Sequence, residues 1–246
     1  MYVTYSTKIK WAFVSALIGS ILWVIGDVFV AGFDVDPSRY PLFSTTYADQ
    51  IDIGISVLML EGSTARLMFG GLVASMSAVL FLPAVWLSFQ FISNRQSFNA
   101  WGNYYLLILS VVLMPLGHSV FFYVGEISKA IYNTDVSAHP YLLNTARAFT
   151  MMLYIAWGIA IFVLMAGWLW YSITVFRGKT ALPRWAGLIT PVWLTLYQMP
   201  LRFVLPMSEL RGWLIAAGFN ISYLLYFALL WLLFRHIPLK MQEKKI

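Results

Sequence analysis

The chain has 246 residues, 61% hydrophobic and 11% charged, with a mean hydropathy of +0.76. Soluble domains carry about 25% charged residues, so a soluble globular fold is excluded and a polytopic membrane protein is expected. Cysteine is absent, which excludes disulfides, thiol catalysis and cysteine-ligated metals. The net charge of +6 sits at segment ends and in the C-terminal tail, where headgroups and membrane topology account for it, so no nucleic-acid partner is expected.

In chain order, six apolar stretches are long enough for a bilayer core of about 30 Å, at residues 11–33, 66–92, 102–127, 148–176, 186–205 and 212–234. They predict an all-α transmembrane bundle forming a single integral membrane domain, 1–246. The first stretch is too long for a signal-peptide core of about 7 to 15 residues and is expected to stay as an anchor. The connection 34–64 is acidic, with Asp34, Asp36, Asp49, Asp52 and Glu61 against Arg39 alone. Its apolar run 51–60 is too short to span and predicts an interfacial or re-entrant helix.

Lys8, Lys10, Arg95, Arg177, Lys179, Arg184, Arg235, Lys240, Lys244 and Lys245 fall on one side under a six-span count, which predicts that both termini are cytoplasmic. Gly71 and Ser75, and Gly158, Ala160, Ala166 and Gly167, have the spacing that lets helices approach closely. No internal repeat is visible, so an inverted-repeat transporter gains no support.

The stretch 190–206, TPVWLTLYQMPLRFVLP, is the most unusual. An arginine in hydrocarbon costs at least about 2.5 to 3.5 kcal/mol, which makes Arg202 a site hypothesis, and Gln198 shares its helix face. Pro200 is expected to kink this helix and free the Leu196 carbonyl for another partner. Counting rise per residue sets Asp27, His118, Gln198, Arg202 and Asn220 at similar depth in the outer half. Singly these read as structural: Asp27 as the partner of Arg202, His118 as a satisfied core histidine, Gln198 and Asn220 as interhelical glue. Glu126, Arg147 and Arg66 read as rim residues, and Tyr123, Tyr154, Trp157, Tyr197, Tyr223 and Tyr226 as packing.

Together they suggest a polar pocket walled by aromatics. In the first functional reading, Arg202, Gln198 and Asn220 orient the polar end of a small apolar or amphipathic ligand, against Tyr123, Tyr154, Trp157, Tyr197 and Tyr223. In the second, the protein is an intramembrane enzyme acting on a lipid or isoprenoid, with Asp27 or Glu126 as acid and His118 as base. In the third, it is a scaffold held by its buried charges. Membrane lipids are the expected partners. The three histidines lie too far apart for a metal centre, and no cofactor or metal is expected. Neither a GxSxG elbow nor a Walker loop occurs, Gly178-Lys179-Thr180 being a bare tripeptide in a loop. No lysine lies inside a span to form a Schiff base.

The pair Gly26-Asp27, the run Ser63-Thr64-Ala65-Arg66-Leu67 followed by Gly70-Gly71, and the step Gly117-His118-Ser119 resemble a group of uncharacterised bacterial polytopic membrane proteins known as a domain of unknown function. The resemblance covers the first half of the chain. It implies architecture and a bacterial inner membrane, raises the weight of Asp27, Arg66 and His118 as a set, and lends no chemistry.

Overall fold

A computed structural model describes residues 7–234, with the side chain of Arg202 left aside. The described residues form helices and turns, with one isolated antiparallel bridge between Ile92 and Thr180 and no strand. The basic cluster 235–245 of the C-terminal tail lies outside the described residues.

Four long apolar helical segments form the bundle. They are α1 (Thr7–Ala31), the pair α3 (Thr64–Ser77) and α4 (Phe81–Gln90), α5 (Phe98–Asn133) and α6 (His139–Phe176). Each is long and apolar enough to cross a membrane. Side-chain caps start several helices where the sequence offers a hydroxyl or carboxylate. Ser63 Oγ accepts from Arg66 N at 3.2 Å and Ser97 Oγ from Ala100 N at 3.2 Å. Asp52 Oδ1 accepts from Ile55 N at 3.0 Å and so starts α2 (Ile53–Leu60). α2 is the short helix expected in the acidic connection, and its Val57 joins a small second core with Phe43, Ile127, Ile131 and Leu143. That core packs on the C-terminal part of α5, which at 36 residues is about 54 Å long, more than the roughly 30 Å of a bilayer core. The helices α5 and α6 extend past the expected spans 102–127 and 148–176.

Prolines act differently in different places. α3 and α4 are joined by a 3-10 turn, Ala78–Leu80, just before Pro83. α5 runs through Pro115 unbroken, and the Pro115 carbonyl accepts from Ser75 Oγ at 3.0 Å and Ser119 Oγ at 2.7 Å.

The segment 186–205, expected as one helix, is instead broken into a 3-10 piece (Arg184–Ile189), α7 (Pro191–Gln198) and a single turn α8 (Leu201–Val204). Thr190 precedes a proline and is extended, at φ −70° and ψ 155°, as steric contact with the proline ring demands. At Pro200 the Leu196 carbonyl is not released: Met199 N takes it at 3.3 Å. The stretch 212–234 is also interrupted, as α9 (Glu209–Ala216) and α10 (Gly218–Phe234), bent by 70°.

The broken segment nevertheless runs the length of the bundle. Ser172 Oγ donates to Gly187 O at 2.8 Å near the end of α6, while Ser208 N donates to Asp34 Oδ2 at 2.9 Å just past the end of α1. α1 and α3 approach most closely at two glycines. A Cβ on Gly26 would meet Ala74 Cβ at 2.7 Å, and one on Gly70 would meet Gly26 O at 2.7 Å. Trp23 Nε1 locks the same crossing by donating to Ala74 O at 2.8 Å.

Candidate functional site

Asp27, on α1 one residue past the Gly26 crossing, is drawn into the bundle between α5 and α10. His118 Nε2 lies 3.0 Å from Asp27 Oδ1, and Asn220 Nδ2 donates to Asp27 Oδ2 at 2.5 Å. The imidazole is buried, and the Asp27 side chain keeps only 15% exposure. His118 Nδ1 lies 3.1 Å from the Met114 carbonyl, which can only accept, so Nδ1 carries a proton. Nε2 faces Oδ1 and Asn220 donates to Oδ2, so both ring nitrogens and both carboxyl oxygens have a polar partner. Trp23 lies beside the imidazole, ring centroids 5.7 Å apart.

Both oxygens of Asp27 are thus engaged by described residues. Arg202 lies in α8, its side chain outside the described residues. Gln198 forms a second cluster beside the first. Its Nε2 donates to Ser222 Oγ at 2.6 Å, Leu194 O at 3.0 Å and Gly218 O at 3.2 Å, and Thr195 Oγ1 donates to Ser222 Oγ at 3.0 Å. It ties the break after α7 to the break before α10 around a small cavity of about 140 Å³.

The remaining expected site residues are dispersed. Glu126 is at the rim, its Oε1 2.8 Å from Lys129 Nζ and its Oε2 accepting from Thr64 Oγ1 at 3.0 Å. Tyr123, Tyr154 and Tyr197 are exposed on the outside of the bundle, and Tyr154 donates to Asp52 Oδ2. Trp157 packs on Gly117 and Phe219, and Tyr223 is a core residue accepting from Trp168 Nε1 at 2.7 Å. These aromatics do not converge on one pocket, because their helical positions point outward or into the core.

A half-enclosed cleft of about 340 Å³ opens at the end of α1, among Phe33, Asp34, Arg39, Glu61, Arg66, Ser208, Glu209 and Trp213. The Arg66 guanidinium stands 4.1 Å from the Phe33 ring centroid and donates to Val28 O at 3.0 Å. Its Nε is buried without a hydrogen-bond partner, as is Nε of Arg211. The acids behind them are already engaged: Asp34 Oδ2 with Ser208 N and Arg211 Nη1, Glu61 Oε1 with Tyr40 Oη at 2.7 Å and Arg39 Nη1 at 3.2 Å. An unused donor of Arg66 is therefore found at this cleft, and that of Arg211 lies behind Asp34. The lining carries Asp34, Glu61 and Glu209 against Arg39 and Arg66, so directed N–H groups rather than a net field would select a ligand.

The cleft was missed in sequence because it joins residues from 32 to 213, and only the oddity of Arg66 at a helix start hinted at it. Ser222 and Thr195 gave no signal, since hydroxyls are common in apolar helices. A family model, described as a family of unknown function (DUF6796), matches residues 2–236, well beyond the half that carried the resemblance. No curated protein and no solved structure matches the chain.

Proposed function

We propose, for a chain that belongs to the family of unknown function DUF6796, that it binds, senses or carries a small amphipathic ligand in the outer half of the membrane. The polar end of the ligand bears a carboxylate or phosphate and enters the cleft at Arg66. The observation that carries this reading is the buried, unpartnered Nε of Arg66, a residue that lines the open cleft. A buried donor left unpaired costs about 1 to 3 kcal/mol, which an anionic acceptor recovers, and Phe33 and Trp213 offer apolar surface to the remainder. The chain crosses the bacterial inner membrane six times with both termini on the basic, cytoplasmic side, the broken segment 184–205 making the fifth crossing. Gln198 and Asn220 act here by holding the two helix breaks next to the cleft.

The enzymatic reading has one observation in its favour, the carboxylate–imidazole contact of Asp27 and His118. With Nδ1 on a carbonyl and Oδ2 on Asn220, the pair has no free group to offer a substrate, which favours a holding role.

The test is mass spectrometry of small molecules that remain with the detergent-purified protein, comparing native chain with Arg66→Gln at matched thermal midpoint. An anionic amphiphile retained by the native chain and lost from the variant is expected. Identical retention in both would remove the ligand reading and leave the scaffold.

A further inference from the structure

At the opposite, basic end of the bundle a second groove runs between α1 and α4. It has a volume of about 640 Å³ and is lined by Lys8, Trp11, Ala12, Ser15, Leu82, Pro83 and Trp86, a size usual for ligand sites. Its geometry follows from the sequence. Residues 8, 11, 12 and 15 recur at helical spacing and form one stripe of α1, while 82 and 86 form the facing stripe of α4. The 3-10 turn Ala78–Leu80 and Pro83 redirect the chain between α3 and α4, and the groove opens there. Ser15 Oγ donates to Leu80 O at 2.8 Å, so the one hydroxyl of the lining is satisfied and the floor is apolar. Trp11 is 67% exposed beside it. Among the described residues the lining contains one cation, Lys8, and no acid. Lys10, Arg177, Lys179 and Arg184 belong to the same end of the chain's helices, so the surroundings are basic as well.

We infer that this groove is a binding site for an anionic phospholipid of the leaflet on the basic side. One acyl chain lies along Ala12, Leu82 and Pro83, the indoles of Trp11 and Trp86 stand at the glycerol level, and the phosphate meets Lys8. An acyl chain gains little by leaving other acyl chains for an apolar groove. Selectivity therefore comes from the headgroup, and a lining with a cation and no anion selects negative charge. The site is at the far end of the bundle from the Arg66 cleft and stands whether or not that cleft binds a ligand.

The experiment is native mass spectrometry of the full-length protein released from micelles containing equal amounts of phosphatidylglycerol and phosphatidylcholine. The native chain is expected to retain phosphatidylglycerol preferentially. Lys8→Gln, a change at an exposed residue, should lower that preference about fivefold, the worth of one lysine near a headgroup. Leu82→Trp, which fills the groove and keeps the charge, should reduce retention of both lipids. Equal retention of the two lipids by the native chain, or a preference untouched by Lys8→Gln, would overturn the inference. So would lipid binding unchanged in Leu82→Trp.

Discussion

An aspartate can be buried in this bundle because each of its oxygens and both nitrogens of its histidine partner have somewhere to go. Removing one member of such a set leaves the others stranded, and breaking a buried ion pair costs about 3 to 5 kcal/mol. Asp27→Leu and His118→Leu are each expected to destabilise by that amount, and the double variant by clearly less than their sum. Unfolding titrations in detergent read this directly; additive losses would mean that the two side chains do not act as a unit. Asn220→Leu removes a single donor and should cost about 1 to 3 kcal/mol. A different residue gives the outer cap its pH dependence. Burial, together with the hydrogen bond to Glu61, pushes the Tyr40 phenol up from 10 to about 12. The neutral phenol is the form the folded cap prefers, so its contribution is whole below pH 10 and is lost as pH rises from 10 through 12. Against Tyr40→Phe, which neither donates nor titrates, the native chain should be more stable by about 1 kcal/mol at pH 8. That margin should vanish between pH 10 and 12; a margin constant across this range would separate Tyr40 from the stability of the cap.

Among the helices, glycines do different things. Gly70 faces the Gly26 carbonyl, where an added Cβ would come within 2.7 Å of backbone that cannot yield cheaply. Gly70→Ala is therefore expected to destabilise by about 1 to 3 kcal/mol through overpacking. Gly158, which belongs to an equally plausible small-residue run, has nothing within 4 Å of the place a Cβ would occupy. Gly158→Ala should be neutral or slightly stabilising, since alanine is the better helix former by about 1 kcal/mol. Thermal midpoints of the two variants in one detergent check both; equal shifts would contradict the α1–α3 crossing. The same contrast explains what was legible in the sequence. The four long apolar segments were readable because length and hydropathy alone decide them. That Asp27, His118 and Asn220 share one height along the bundle was readable too, since it follows from counting residues along helices. Which faces meet was not, because helix rotation depends on contacts such as Gly26 on Gly70. That is why the contacts of Asp27 with His118 and Asn220 were not foreseen. The breaks at Thr190, Met199 and Ala217 were blurred for another reason: hydropathy averages across them, and only Pro191 and Pro200 marked the first two.

At the scale of the whole molecule, the open question is how often the chain crosses the bilayer, and the broken segment 184–205 decides it. It starts beside the end of α6, where Ser172 holds Gly187, and finishes at Ser208, which holds Asp34 beyond the end of α1. Asp34 and the basic loop at Arg95 are at opposite ends of the bundle, because one lies after α1 and the other after α4 has returned. A segment that joins those ends is expected to cross although it is helical only in pieces; its first half is packed in protein at Pro191, Val192 and Thr195, while Met199, Phe203 and Val204 face outward. The chain has no cysteine of its own, so single introduced cysteines report their side without background. Ser137→Cys and Met207→Cys, both at exposed positions, are expected to react with a membrane-impermeant maleimide in spheroplasts, and Asn94→Cys only after lysis. If Met207→Cys instead stayed silent until lysis, while Ser137→Cys reacted, the segment would be re-entrant. α10 would then begin on the basic side, and the Asp34 contact with Ser208 and Arg211 could not form in the membrane. The labelling pattern at Met207 therefore tests the sixfold topology and the outer cleft together, because the wall of that cleft between Ser208 and Trp213 exists only if the fifth segment has crossed.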